Sequence, residues 1–568
     1  MSKNIELKVS DWIYNVGLLG LYNILEYKDE FVEVKKDGIS FELEALEGFE
    51  EYYFKYLIKK YYSTLSINKI NSFENIISNW EDEDFKVFDE KSLETLNLQI
   101  ESVKKYITSN SYKSAYQLID SEFNPLIKEK QLKKIKLSKK DTIEGRLEDI
   151  KNQVSILNEI IEYFKRKDSI KYIGAKNVMY TLIRNAWDNV SILNRQNKNP
   201  DMYDEVANYF VKPAIEYLDG YEKSKNKDKY LCMSCGSRIP SLNNDICFIR
   251  ELGFDTKKKN SHVYDFNNYV GICPMCKLVY TCIPAGFTYA YNRGLFVNYS
   301  NNFKSLIEIN NNIKEDVFKE TSKNTSIYYA IQKNMDEKSN EDMKYELSDV
   351  QIVRFFRNID SDQVKYSFNI LNRPIQRVIN ECSGSLKFIR GAYFEEGKKN
   401  VYVYNEVMNN LFNNQNDFLI IHKMLHYKIS NPDKTRYSSE HIQNVIRINN
   451  SYLREVGYMN DKSNGKYLYF SRVSGENLRA SYKKMDAVEK LNGIAYRMLN
   501  ALKTSNKHAF MDTLIKASMY ANEAIDDIFS NTMEDDLKFK NAGYSFITGM
   551  LGKQNNSKND SEDNGGEI

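Results

Sequence analysis

The sequence predicts an α+β protein of several domains. A mostly helical body carries short antiparallel hairpins, an inserted zinc-ribbon-like lobe and a C-terminal helical bundle. Three observations predict this class. Apolar residues recur at steps of three and four over long stretches, the signature of amphipathic helices. A few short runs alternate instead and break at turn residues, as in hairpins. Two Cys-x-x-Cys pairs, Cys232/Cys235 and Cys273/Cys276, stand 37 residues apart. At 568 residues the chain also exceeds the roughly 250–300 residues at which single cores stop growing.

Asp11 is placed to cap a helix running to about Tyr27, in which Trp12, Ile13, Val16, Leu19 and Leu25 recur near helical spacing. Gly17 and Gly20 mark where a neighbouring backbone can approach. The segment reads as a core helix, with Asn15 open to a surface role. Phe31 to Leu43 reads as a hairpin about Asp37-Gly38. A tyrosine-rich helix follows from Leu46 to about Leu65, then mainly helical pattern to residue 220. Gly286 to Tyr299 turns at Asn292-Arg293-Gly294, and Val350 to Arg357 pairs with Gln363 to Leu371. Residues 374–470 mix helix and short strand. Beyond Gly475 a helical pattern resumes, broken at Ser505-Asn506, with a last helix from about Glu534 to Leu551. The expected divisions are an N-terminal α+β domain (1–227), a four-cysteine lobe (228–287), a mixed remainder of the body (288–472), the bundle (473–552) and a tail (553–568) disordered by composition.

Each cysteine pair lets two thiolates reach one ion from a tight turn, and two turns supply the four sulfurs of a tetrahedral zinc site. Gly236 follows the first pair, where a turn often needs positive φ. Pro274 stiffens the second. The other reading is four buried thiols without an ion. A disulfide framework is disfavoured because nothing else in the chain looks secreted. A four-thiolate site is closed and structural, so one zinc without catalytic duty is expected. Cys247, Cys282 and His262 lie in or beside the insert and read first as ordinary residues. A zinc deaminase needs His-x-Glu, but His262 is followed by Val263 and Tyr264. His422 and His426 share a helical face, yet Lys423 stands where a two-histidine zinc motif wants glutamate.

The composition excludes other classes. There is no glycine-rich phosphate loop and no Gly-x-Ser-x-Gly elbow, and five histidines make a thin general-base repertoire. No run of 18 apolar residues is long enough for a membrane span. The first residues lack the apolar core of a signal peptide, so a cytoplasmic location without membrane contact is expected. Eighty basic and 78 acidic residues leave a net charge of only +2. Any nucleic-acid contact must therefore come from local patches. The candidates are Lys35 and Lys36 at the first hairpin tip, and Lys133, Lys134 and Lys136 within the basic run Lys128–Lys140. Lys257, Lys258 and Lys259 in the insert and Arg293 at a turn complete the set. The hairpin lysines read first as solvated charge, and the insert lysines and the basic run read first as loop, the run a mobile one. These residues alone leave the function open.

Several motifs in order add a resemblance. They are Asp11-Trp12-Ile13-Tyr14-Asn15-x-Gly17, the paired cysteine knuckles, Cys282-Ile283-Pro284-Ala285-Gly286-Phe287, and Gly543-Tyr544-Ser545-Phe546-Ile547-x-Gly549-Met550-Leu551. Together they resemble the CXXC-CXXC large subunits of type I-B CRISPR surveillance complexes (Cascade), over residues 11 to about 552 and weakly over 66–225. The resemblance implies a non-catalytic DNA-binding scaffold at the end of the complex holding the 5′ handle of the guide RNA. Such a subunit reads the protospacer-adjacent motif in target double-stranded DNA and helps open the duplex. It contacts the other surveillance-complex subunits and docks a separate helicase-nuclease. The bundle would resemble the complex's small subunit and be a candidate for separate synthesis from Met485 or from a start nearer Val473. The alternative is a zinc-containing nucleic-acid-modifying enzyme.

Overall fold

A computed structural model of the protein describes residues 3–137, 141–197, 199–225, 228–250, 271–290, 293–299, 302–319, 350–358, 361, 363–397, 399–459 and 465–552. Packing divides the chain into two units, Met1–Lys314 with Ile352–Phe368, and Glu315–Gln351 with Asn369–Ile568. Both are mainly helical with short antiparallel sheets, the predicted α+β class.

In the first unit β1 (Asn4–Lys8) precedes helix α1 (Trp12–Tyr27). The Asp11 carboxylate accepts from the Ile13 and Tyr14 N–H groups, both at 2.9 Å, and so caps the helix. Strands β2 (Val32–Lys35) and β3 (Gly38–Glu42) form the expected hairpin. The sequence reading lacked β1, which adds to β3 with Ile5 and Leu7 buried between exposed Asn4, Glu6 and Lys8. Gly38 is needed for that contact, because a β-carbon there would stand 2.0 Å from the Leu7 carbonyl oxygen. Asn15 is fully buried. Its side chain accepts from the Ser10 N–H at 2.8 Å and donates to Ser10 O and to Asn298 Oδ1 at 3.1 and 3.0 Å, a structural role.

Helix α2 (Phe49–Tyr61) buries one tyrosine-rich face. Between it and the cysteine segment lie mainly helices, including α3 (Leu147–Lys165) and α4 (Lys167–Val178), in line with the sequence pattern. The described part of the basic run differs from the expected mobile loop. Leu132 and Ile135 are buried, and the Asn97 side chain grips Ile135 at both its N–H (2.8 Å) and its carbonyl (2.9 Å). The run is a strap held by its apolar residues, which a reading by charge alone passes over.

Strands β4 (Tyr230–Leu231) and β5 (Arg238–Ile239) frame the first cysteine pair, and helices α5 (Pro274–Thr281) and α6 (Ile283–Gly286) follow the second. Strands β6 (Thr288–Ala290), β7 (Arg293–Asn298), β8 (Val350–Arg357) and β9 (Val364–Leu371) then join both predicted hairpins in one sheet of order β6-β7-β8-β9. The Trp12 ring packs against Tyr366 and Phe368 of β9, at centroid distances of 5.9 and 5.1 Å.

In the second unit β10 (Tyr393–Glu396), β11 (Lys399–Tyr402) and β12 (Thr435–Arg436) make a small sheet beside α7 (Val403–Phe412), α8 (Phe418–Ser430) and α9 (Ser439–Glu455). The last helices are α10 (Lys466–Lys484), α11 (Lys490–Lys503), α12 (Lys507–Ala521) and α13 (Asp536–Leu551), with a short turn of helix at Ile528–Thr532 before α13. The first of them starts ahead of Gly475, and the periodic run from Leu478 to Leu502 is two helices, broken after Met485 where Asp486 takes φ 51°. Gly475 is a packing residue: a β-carbon on it would lie 2.1 Å from Phe546 O, and one on Gly549 2.0 Å from Arg472 O. Residues 553–568 lie outside the described residues.

Candidate metal centre

The first pair sits in the turn between β4 and β5, where Gly236 adopts φ 71° as its position suggests. The Gly236 N–H closes the turn on Cys232 O at 2.9 Å. The second pair opens a helix: Cys273 is the N-cap of α5, and its Sγ accepts from the Cys276 N–H at 3.3 Å. Proline in the first helical turn fits, since no intrahelical N–H is needed there. The Cys273 N–H in turn donates to Cys232 Sγ at 3.2 Å, tying the two turns together.

All four sulfurs lie within 4.8 Å of one another. Cys235 Sγ and Cys273 Sγ are 3.8 Å apart, the edge expected of a sulfur tetrahedron with bonds of about 2.3 Å to a central ion. Cys232, Cys273 and Cys276 are buried and Cys235 is exposed. Among themselves the thiols share protons unequally. Hydrogen bonds from Cys232, and then Cys273 and Cys276, hold Cys235 far below the usual thiol range. Hydrogen bonds to Cys232, Cys235 and Cys273 push Cys276 up. A central dication removes this conflict by stabilising all four as thiolates. The donor set therefore fits a soft-ligand, four-coordinate ion, and with four protein ligands it leaves no position for substrate.

The centre is built into its unit. Tyr53 Oη and Trp187 Nε1 both donate to the Thr281 carbonyl near the end of α5, at 3.0 and 3.1 Å. Tyr61 Oη donates to Phe287 O at 3.0 Å, and Asn23 Nδ2 to Ala285 O at 3.0 Å. The Tyr14 ring meets Tyr280 edge-on at 5.8 Å, and the Tyr280 and Ser234 hydroxyls lie 2.9 Å apart. No local pattern marks these supporting residues, because their partners are distant in sequence. Cys282 is fully buried with its thiol directed to Leu278 O at 3.3 Å, and Cys247 is exposed; neither joins the cluster. His422 and His426 stack on α8, their rings 6.4 Å apart, outside any metal cluster among the described residues. His262 lies outside the described residues.

The basic candidates fall on separate elements. Lys35 sits near Glu6 (3.5 Å) and Glu33 (3.8 Å), while Lys36 is exposed at the turn. Lys134 pairs with Glu101 at 2.7 Å, and Lys133 and Lys136 are exposed on the strap. Arg293 is exposed where β7 begins. Lys257, Lys258 and Lys259 lie outside the described residues. Among the described residues no helix is long and apolar enough to cross a membrane.

Residues 225–288, which span the four ligands and the Ile283–Phe287 segment, match a family described as CRISPR-associated protein (Cas_CXXC_CXXC). No curated protein and no solved structure matches the chain.

Proposed function

Over residues 225–288 the chain carries the CXXC-CXXC region of a CRISPR-associated family, and from that premise we propose that it is the large, non-catalytic subunit of a CRISPR surveillance complex. In this reading it belongs to a type I-B complex and binds the end that holds the guide RNA handle. It reads a short protospacer-adjacent motif in double-stranded DNA, supports strand opening and docks a helicase-nuclease. Guide pairing then reads the sequence while protein reads the motif and backbone. The four cysteines hold one structural zinc.

The observation that carries the reading is that the family match falls on the very segment that folds as a closed four-sulfur centre. Such a centre stiffens a platform and supplies no open Lewis-acid position. The exposed lysines at the hairpin tip and on the strap and Arg293 at the start of β7 are the candidate backbone contacts, and each phosphate neutralised adds to the salt dependence of binding.

The test is co-expression of the chain with the subunits encoded beside it, followed by purification. The reading expects guide RNA and motif-bearing duplex to be retained, with affinity falling steeply as salt rises, and no cleavage by the isolated chain. Retention of no nucleic acid, or DNA cleavage by the chain alone, overturns it.

A further inference from the structure

We infer that the cavity of the second unit beside α7, α8 and α9 takes the unstacked nucleobase of a single-stranded nucleic acid. The inference rests on the proposed function for its class of partner and adds a site and a mode of recognition. The cavity measures about 460 Å³, within the range of pockets that hold small organic groups.

Asn410, Asn414, Gln415 and Asn416 contribute four side-chain amides, and Tyr452 and Tyr458 contribute two phenol rings. Amides offer donors and acceptors in one plane, the complement of a base edge. The exposed Tyr458 ring offers a stacking face that tolerates any base, whereas Tyr452 is buried and offers none.

Neighbours fix the amides. Asn410 Nδ2 donates one of its two hydrogens to Asp417 Oδ1 at 2.9 Å, which orients the amide. Asn414 Oδ1 accepts from Asn372 Nδ2 at 3.2 Å through one of its two lone pairs, which orients this amide as well. The backbone sets the loop between them. Asn414 takes φ 53°, a conformation asparagine tolerates, and the Gln415 N–H donates to Asn410 O at 2.8 Å. The cavity thus presents two oriented amides, each with donor and acceptor capacity left over, beside the same loop.

Charge selects against an anion. Lys423 is the cation on the lining, and its ammonium is 3.0 Å from Glu396. Glu406 adds a negative charge. The Asp417 carboxyl behind Asn410 is fully buried, and desolvation keeps it protonated near neutral pH. A phosphate finds no uncommitted cation on this lining, whereas a neutral base does not need one. A purely apolar group would strand the amides without partners, at a desolvation cost. The sugar and phosphate of the bound nucleotide stay outside, toward exposed Leu419.

The test uses the full chain, alone and in the co-expressed assembly, with single-stranded oligonucleotides carrying 5-iodouracil. Illumination is expected to give adducts on Tyr458 by peptide mapping. Tyr458→Ala and Asn414→Ala, both outside the hydrophobic core, are expected to weaken single-strand binding roughly tenfold, with motif-bearing duplex still recognised by the assembly. Adducts elsewhere together with unchanged affinity in both variants overturn the cavity assignment and leave the proposed function standing. Protection of Tyr458 by a protein subunit and not by an oligonucleotide assigns the cavity to a peptide and overturns it too. If the assembly retains neither single strand nor duplex, both readings fall.

Discussion

A β-carbon on Gly286 would stand 2.0 Å from the carbonyl oxygen of Val16. The relation is mutual, since one on Gly20 would stand 1.9 Å from the carbonyl oxygen of Cys282. Helices α1 and α6 therefore meet backbone to backbone, and the segment that follows the metal centre is seated on the helix that opens the chain.

Gly20→Ala or Gly286→Ala forces those backbones apart and is expected to cost about 3 kcal/mol or more. Urea unfolding of the full chain measures it. Gly236→Ala is the control: its φ is 71° but nothing lies within 4 Å of the added carbon. It is expected to cost only about 1–2 kcal/mol, the left-handed backbone penalty. Equal costs at the three positions would contradict the packing account.

The cysteines separate by role. Cys273→Ser and Cys276→Ser each remove a ligand and are expected to abolish metal retention and lower the melting temperature of the first unit by well over ten degrees, because metal affinity is folding free energy. Cys282→Ser alters a buried thiol that bonds Leu278 O and joins no cluster, so metal content should stay unchanged. Metal analysis beside thermal melts distinguishes them.

The strap at residues 132–137 is held by its buried Leu132 and Ile135, by Gln153 at the Lys133 N–H (2.7 Å) and by Asn97 at Ile135. Asn97→Ala removes both hydrogen bonds to Ile135 and is expected to cost about 1–3 kcal/mol. Amide exchange at Ile135 should quicken far more than exchange in α1. If Lys133, Lys134 and Lys136 act as a patch, the same variant should also weaken duplex binding, because the strap no longer holds them in place.

The buried acid of the second unit gives a pH signature. Burial pushes the Asp417 carboxyl up to about 8, and the Asn410 amide offsets this only in part. The folded chain then holds a proton that the unfolded chain, with an ordinary carboxyl, has released, so this group costs stability as pH rises from about 4 to about 8. Asp417→Asn should therefore raise the melting temperature more at pH 8 than at pH 5. A gain independent of pH would show that the acid is ionised in the folded state.

What the sequence made legible was local. The Asp11 cap, the turn at Gly236 and the four cysteines each carry their signal within a few residues, whereas the first hairpin turns at Lys36-Asp37, one residue ahead of the expected Asp37-Gly38, because Gly38 already pairs with Lys35. The glycines at 17 and 20 announced a close approach but not its partner, since Val279 and Cys282 lie more than 250 residues away. Strand β1 was missed because five alternating residues at a chain end look like any loop until β3 pairs with them. The helix break after Met485 was hidden because the apolar steps continue across it, and only the backbone at Asp486 shows the turn. Lys133 to Lys136 read as loop because charge masked the buried Leu132 and Ile135.

X-ray absorption at the zinc edge on the purified full chain reads the four-sulfur centre itself. One zinc per chain surrounded by four sulfurs at about 2.3 Å is expected, unchanged when nucleic acid is added. A folded chain free of metal, or a zinc with a nitrogen or oxygen ligand that exchanges with solvent, would contradict it.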